Sequence, residues 1–485
     1  MSYSKLGHMQ NLTKKGAYDK NHTRSKMKVE DIIKATNGKL VIGDLKRECE
    51  NFCTDTRKIQ EGDVYVGLKG EKFNGNEYYK EALAKGANVA IISGIKITDE
   101  ELKQFNDKTI IEVADSLEAF GDIAAYKREL YDIPVVQITG SVGKTSTRDI
   151  VANVVRTQYN TLQTEGNQNN AVGLPTTLLK LKDHEAVVVE SGMNHLGEIR
   201  YLGKIAKPTI AVITNIGTAH IGFLGSRENI LKAKLEILEN LKPTGYIVIN
   251  NDNDMLNKWA KEDTKYKKYT FGIEEEADIM AYNIQINKDN SIYNVKINNK
   301  EYTVKVPISG KHFVYNSLCA IAVGNLLKIT PENIIKGIET FSLTKNRMEV
   351  AKLKDNVTVI NDAYNASYDS MKAAIEYLQN LPGNRKLAVL GDMFELGKFA
   401  EEIHRKVGIE VFTHKVDVLV TVGELAKYIA EEAEYLGMPR ENIIVLDTTK
   451  EAIDYLNKNL LKDDVVLLKA AHGMDFAKIY DGIKE

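Results

Sequence analysis

Hydrophobic and polar positions change rhythm twice along this chain. From about Met27 to Val113 a short amphipathic stretch precedes brief apolar runs, with the glycine-rich region VGLKGEKFNGNEYY (Val66 to Tyr79) among them. That spacing predicts a small α/β unit. From Pro134 the apolar runs become continuous: PVVQIT reads as a buried strand, GSVGKTS as a glycine turn and TRDIVANVVRT as an amphipathic helix. Further buried strands are expected at EAVVVES (Glu185 to Ser191), TIAVITNI (Thr209 to Ile216) and GYIVIN (Gly245 to Asn250), with helices between most of them. Strands apolar on both faces and separated by helices are the pattern of a parallel, doubly wound sheet. A polar, alternating region from Ala277 to Val306 predicts antiparallel strands with Asn-rich turns that extend the central sheet. After Phe341 a third series, KLAVLGD, VDVLVTVG, NIIVLD and DVVLLKAA, predicts another α/β domain. It is Rossmann-like but lacks the dinucleotide glycine fingerprint.

The expected fold class is therefore α/β in three domains. These are a small α/β N-terminal domain over 27–113, a central P-loop domain with a doubly wound, mostly parallel sheet over 114–343, and a C-terminal Rossmann-like α/β domain over 344–485. Residues 1–26, with Lys14, Lys15, Lys20, Arg24 and Lys26 among polar neighbours and no apolar core, are expected to be a disordered extension. The 485-residue length agrees with several domains. Lysine and arginine total 65 against 67 acidic residues, a formal charge of -2, so no global field favours nucleic acid or an anionic membrane. No apolar run approaches the roughly 18 residues of a membrane span. The three cysteines, Cys49, Cys53 and Cys319, have no metal-type spacing and suit a reducing, cytoplasmic setting.

The chemistry begins at TGSVGKTS (Thr139 to Ser146). Only Gly140 and Gly143 remain of the longer glycine spacing of phosphate loops, yet the physics of an anion site survives. Backbone N–H groups of Gly140, Ser141, Val142, Gly143 and Ser146 lie at or near a helix N-terminus, Lys144 can reach β and γ phosphates, and the Thr145 hydroxyl can hold Mg²⁺. Glu190 closes the apolar run AVVVE, where a carboxylate is costly to bury unless it is paired or bound to metal. His220 follows the strand TIAVITNI; it could ligate a second cation or serve as an ordinary hydrogen-bonded loop histidine.

The segment SRENILKAKLEILENL (Ser226 to Leu241) reads as a helix starting at Ser226. At about 100° per residue, Lys234 falls in the middle of its apolar face, whereas Lys232 and Glu236 fall on the opposite, solvated side. Desolvation lowers the pKa of such a lysine, and its neutral amine can take up CO₂ as a carbamate, an anionic oxygen ligand for Mg²⁺. A snorkelling lysine or a buried salt bridge is the plainer alternative.

Together these motifs resemble the Mur ligase family, from about Met27 to the C-terminus. TGSVGKTS is similar to the family's phosphate loop, VVVESGMNHLGEI to its acidic strand end, NIGTAHIGFLGS to its histidine loop and KAKLEIL to the helix of its carbamylated lysine. The resemblance implies ATP and two Mg²⁺ ions, held with Thr145, Glu190, His220 and a CO₂-derived carbamate on Lys234, and catalytic roles for Lys144, His220 and Lys234. It places Asn316 of GKHFVYNSLCAIAVG near ATP, with His312 close by, and brings Arg347 and Asp362 to the nucleotide from the third domain. Tyr364 and Asn365 are implied at the substrate.

TEGNQNNAVGLPTTLL, with Asn169 and Asn170, and LGDMFELG followed by His404 resemble the D-alanyl-D-alanine-adding branch. CTDTRKIQEGDVYVGLKGEKFNGN resembles a muramoyl-nucleotide-binding region, with Thr56, Arg57, Asn74 and Asn76 as candidates. The implied activity joins D-alanyl-D-alanine to a UDP-N-acetylmuramoyl tripeptide through an acyl phosphate, in a cytoplasmic monomer with no nucleic-acid partner and no membrane insertion. Alternatives are another amide ligase of the family, adding the third residue or acting like a folylpolyglutamate ligase, a P-loop ATPase switch, and a non-catalytic nucleotide-binding scaffold.

Overall fold

The computed structural model describes residues 26–342 and 348–484. The extension expected over 1–26 lies outside them except for Lys26, and so does Arg347. The chain forms two compact units, the first ending at Tyr131 and the second running from Asp132.

The first unit carries a five-stranded sheet of β1 (Lys39–Ile42), β2 (Phe52–Cys53), β3 (Val64–Val66), β4 (Val89–Ile92) and β5 (Thr109–Glu112) in the order β1-β5-β4-β3-β2. Only β1 is antiparallel to its neighbour. The helix Ser116–Glu129, capped by the Asp115 carboxylate on the Leu117 and Glu118 N–H groups, belongs here. Its Tyr126 hydroxyl donates to Asp31 in the helix Val29–Thr36 at 2.7 Å. The compact unit thus extends past Val113, because this helix covers the same small core.

The second unit holds two sheets. Its central sheet comprises β6 (Val135–Thr139), β7 (Thr161–Gln163), β8 (Ala186–Glu190), β9 (Ile210–Ile213), β10 (Tyr246–Asn250), β11 (Lys267–Gly272), β12 (Ile279–Ile286), β13 (Ser291–Ile297) and β14 (Lys300–Val306). The order is β14-β13-β12-β11-β10-β9-β6-β8-β7, antiparallel only among the last three strands in sequence. Because β6 is flanked by β8 on one side and β9 on the other, the strand order reverses around it, and the crevice outside the carboxyl ends of these strands is a natural ligand site. The register sets Ile138 beside Glu190 and Thr139 beside Ile213, so three loops leave one edge at one level.

The other sheet has β15 (Glu349–Lys352), β16 (Thr358–Asn361), β17 (Lys386–Gly391), β18 (Val418–Val422), β19 (Ile443–Leu446) and β20 (Val465–Lys469) in the order β15-β16-β20-β17-β18-β19. All pairs but β15–β16 are parallel. Among the described residues no helix is long and apolar enough to cross a membrane.

One sequence expectation is corrected here. The helix from Ser226 is regular only over Arg227–Leu235 and tightens into a 3₁₀ turn over Glu236–Asn240. The change of pitch turns Glu236 inward, where it is buried rather than solvated. Its carboxylate accepts the Gly197 N–H at 2.9 Å and the Arg200 N–H at 3.3 Å, satisfying the open N-terminus of the helix Glu198–Ala206. Glu236→Ala is expected to cost about 1–2 kcal/mol in chemical denaturation, as for loss of a buried cap. Lys232→Ala, on the exposed side, should stay within about 0.5 kcal/mol.

Candidate active site

The loop after β6 is built by its glycines. Gly140 has φ +154°, and a Cβ there would lie 1.9 Å from Thr214 Oγ1; Gly143, at φ +79°, is the N-cap of the helix Lys144–Arg156. The loop is pinned to the strand end beside it. The Ser141 N–H donates to the Asn215 carbonyl at 3.1 Å and the Val142 N–H to Asn215 Oδ1 at 3.0 Å. In return Ser141 Oγ accepts the Gly217 N–H at 2.9 Å. Lys144 Nζ lies back over the turn, 3.0 Å from the Gly140 carbonyl and 3.3 Å from that of Ser141. The ammonium and the first-turn N–H groups of the helix therefore share the space where an oligophosphate would sit.

Glu190, 2% exposed at the end of β8, is engaged from three directions. Thr145 Oγ1 donates to its Oε2 at 2.9 Å and Asn169 Nδ2 to its Oε1 at 2.7 Å, while Arg148 Nη1 lies 3.6 Å from Oε2. Arg148, which the sequence reading did not single out, is itself buried. It bonds Asp149 Oδ1 at 2.6 Å and the Gly166 carbonyl at 2.8 Å. Its position one helical turn beyond Lys144 was the available signal, since both side chains leave the same face.

His220 stands at φ +65° as the N-cap of the short helix Ile221–Leu224, with Nδ1 2.5 Å from Glu395 Oε2. Burial lowers its pKa, opposed by the bond to Glu395; the Lys144 and Lys234 charges lower it further. Lys234 is 1% exposed with no ion-pair partner among the described residues. Burial holds its pKa well below the ordinary value, and the nearby Lys144 charge adds to the effect. Lys234 is not among the residues that line the cavity, although it is near enough for its charge to act on His220.

A cavity of about 630 Å³ joins these groups. Its lining includes a wall of Asn250, Phe271, Phe313, Tyr315 and Asn316, and Asn316 Oδ1 accepts from the Thr147 hydroxyl at 3.0 Å. His312, also on this wall, is pushed down to about 4 by burial against the opposing pull of Asp362. Lys144, Thr145, Asn169, Asn170, Glu190 and His220 line the same cavity.

The wall from the last sheet carries Asp362, Tyr364, Asn365, Glu395, Lys469 and His472. Asp362 is ion-paired with Lys469, whose ammonium also donates to the Asn365 carbonyl at 2.9 Å, and the Tyr364 and His472 rings meet at a 45° tilt with centroids 5.6 Å apart. This wall is tied to the loop after β9: Thr218 N–H donates to Asp369 at 3.2 Å and Gly222 N–H to the Glu395 carbonyl at 3.0 Å.

Several predicted contacts are occupied by the fold. Asn170 Oδ1 accepts the Val172 and Gly173 N–H groups, so it shapes its own loop. His404 is fully buried, accepting the Met393 N–H at Nε2 and donating from Nδ1 to the Ala400 carbonyl. It supports the segment Leu390 to Gly397 from behind. In the first unit Asn76 is buried, accepting from Ser93 N–H and donating to Asn74. Arg57 is exposed and paired with Asp55 at 2.8 Å, and Thr56 is half-buried beside it.

Among the described residues no group of three or more His, Cys, Asp or Glu side chains could by itself hold a metal. Thr145 and Glu190 nevertheless fit Mg²⁺, a cation that keeps waters and completes its shell with substrate phosphates. A buried, unpaired amine at Lys234 fits carbamate formation.

Three family models match in order along the chain: Mur ligase family, catalytic domain over 49–128, Mur ligase middle domain over 138–324, and Mur ligase, glutamate ligase domain over 346–472. A curated relative, UDP-N-acetylmuramoyl-tripeptide--D-alanyl-D-alanine ligase of Bacillus subtilis, is 35% identical over 435 residues, 89% of this chain and 92% of the relative. Among solved structures, MurF from Acinetobacter baumannii superposes with a TM-score of 0.87 at 29% identity, covering 95% of this chain and 99% of that one. MurF ligase from Thermotoga maritima in complex with ADP superposes with 0.79 at 27% identity, covering 90% and 97%. With its phosphate loop, buried acid and histidine on one strand edge and its relatives matched over nearly their whole length, the chain belongs to the Mur ligase family.

Proposed function

We propose that this chain is an ATP-dependent ligase that joins D-alanyl-D-alanine to the terminal carboxylate of a UDP-N-acetylmuramoyl tripeptide, a step of peptidoglycan precursor synthesis in the cytoplasm. The observation that carries this reading is the single cavity in which Lys144, Thr145, Glu190 and His220 meet the wall bearing Asp362, Glu395 and Lys469. The names of its relatives and the ADP held by the Thermotoga structure support the choice of substrates. The three domains expected from the sequence have natural roles: the first for the muramoyl nucleotide, the central for ATP, the third for the dipeptide and for closure.

A free carboxylate is a poor acyl donor. Transfer of the γ-phosphoryl group of ATP to it forms an acyl phosphate and releases ADP. The dipeptide amine then forms the C–N bond and loses a proton, and the bond to phosphate breaks. Lys144 and the N–H groups of Gly143 to Ser146 hold the oligophosphate and meet its growing negative charge. Asn316, oriented by Thr147, faces the nucleoside end, with Asp362 on the wall from the last sheet; Arg347 is a nucleotide contact by family resemblance alone.

Mg²⁺ held by Thr145, Glu190 and His220, together with an anionic carbamate oxygen on Lys234, would neutralise phosphate charge and polarise the phosphoryl group. Asn169 fixes the Glu190 carboxylate, whereas Asn170 sets the loop that carries Asn169. The Glu395–His220 and Asp369–Thr218 contacts close the cavity and exclude water that would hydrolyse the acyl phosphate. Thr56, Arg57 and Asn74 are the candidate contacts to the muramoyl nucleotide, with Asn76 shaping their loop, and Tyr364 and Asn365 lie on the peptide side.

Phosphate release should require ATP, Mg²⁺, UDP-muramoyl tripeptide and D-alanyl-D-alanine together, each omission abolishing it. Release at full rate without the dipeptide would remove this assignment in favour of an ATPase. Lys234→Ala should lower turnover by about 10²–10³-fold, the scale of losing a group that supports transition-state charge. Short carboxylic acids should restore part of it; undiminished turnover without them would rule out the carbamate.

A further inference from the structure

Two glycines of the loop after β9 face the third sheet's loops at the edge of the cavity, and they meet different neighbours. A Cβ on Gly217 would run into the Asp369 carboxylate, the end of a side chain that can swing aside. A Cβ on Gly222 would lie 2.5 Å from the Glu395 carbonyl oxygen, 2.6 Å from the Gly397 nitrogen and 2.6 Å from the Leu396 carbonyl carbon, all of them backbone. Gly397, at φ +52°, faces it in turn, since a Cβ there would come 3.3 Å from Gly222 Cα. The Gly222 N–H donates to the Glu395 carbonyl at 3.0 Å, while the Glu395 carboxylate reaches His220. Met393 and Leu396 are buried, so this backbone is not free to bend away by itself. Gly222 lies in the helix Ile221–Leu224 without a positive φ, and its own backbone would accept alanine.

Carbon atoms pack at about 3.5–4.0 Å, so a methyl at Gly222 fits only if the two segments part by about 1 Å. Parting breaks the Gly222–Glu395 bond and leaves an N–H and a carbonyl that water then satisfies, two residues from His220. Resting on the ligase reading above, we infer that Gly222 is a positioning residue: its bare Cα seats the backbone of Glu395 to Gly397, and that seat decides whether the acyl phosphate passes to the amine or is lost to water. In the loss, water oxygen bonds the acyl carbon, the bond to phosphate breaks, and the free carboxylate returns with ATP hydrolysed and no amide made.

The test uses the full chain with ATP, Mg²⁺ and UDP-muramoyl tripeptide, with and without D-alanyl-D-alanine, and scores phosphate and amide separately. The wild type should release about one phosphate per amide and little without the dipeptide. Gly222→Ala should release phosphate without the dipeptide about tenfold faster than the wild type or more, within the range of effects of a 1 Å misplacement, and only when the tripeptide is present. Hydroxylamine in place of the dipeptide should form the tripeptide hydroxamate faster in this variant; its nitrogen bonds the acyl carbon as phosphate leaves with a proton. Gly217→Ala should leak less, because only a carboxylate has to move. KM for ATP should stay within about twofold in both, since the wall of Phe271, Phe313 and Asn316 is untouched. A Gly222→Ala chain that keeps the wild-type stoichiometry, loses phosphate and amide in equal measure, leaks no more than Gly217→Ala, or fails to fold would overturn the inference while leaving the ligase reading intact. A wild type whose phosphate release ignores the tripeptide would instead overturn that reading, and this inference with it.

Discussion

Glu190 ends a strand whose other residues are apolar, and its carboxylate is almost out of reach of water. A buried charge of this kind persists only when it is hydrogen-bonded and partnered. Here the partners are Thr145 from the phosphate loop, Asn169 from the loop after β7 and the buried Arg148. Meeting the needs of one carboxylate therefore fixes three chain segments. The same contacts leave the Thr145 hydroxyl and the carboxylate side by side, which is the local requirement of a Mg²⁺ site.

The sheet makes that meeting possible. With β6 between β8 and β9, the crossovers diverge and open a crevice at the carboxyl ends of the strands. Asn215 and Thr214 from the β9 edge hold the glycine turn, and His220 follows a few residues later. The third sheet supplies the opposing wall from the ends of its own parallel strands β16, β17 and β20, which carry Asp362, the Glu395 segment and Lys469. Two open α/β sheets thus turn their ligand-binding edges toward one cavity. The tie between them combines polar contacts around Gly217 to Gly222 with apolar packing, since Ile221 and Leu224 from one side and Met393 and Leu396 from the other belong to one buried cluster.

Most buried strands of the central and last sheets were legible because each is a continuous apolar run between breakers, and β12 to β14 because they alternate. β7, β11, β15 and β16 escaped, β7 and β16 because they are runs of only three and four residues. Lys267–Gly272 and Glu349–Lys352 are largely polar or half-exposed, and they become strands only because a neighbour offers them an edge. Lys234 could be placed by helical periodicity alone. Glu236, two residues on, could not, because the helix tightens and a distant helix N-terminus needs a cap.

What the sequence determined by itself was local: which segments are strands or helices, where glycine permits the phosphate turn, and which charged residues sit at apolar positions. Those properties depend on neighbours a few residues away. Tertiary structure decided the rest. Asn76 and Asn170 read as contacts to a substrate, yet their side-chain oxygens accept N–H groups of the backbone around them, and Arg148 read as part of an ordinary helix yet is the cation beside Glu190. A polar side chain bonds to whichever partner the fold brings within about 3 Å, and that partner is set by strand order and register rather than by the residues beside it in the chain.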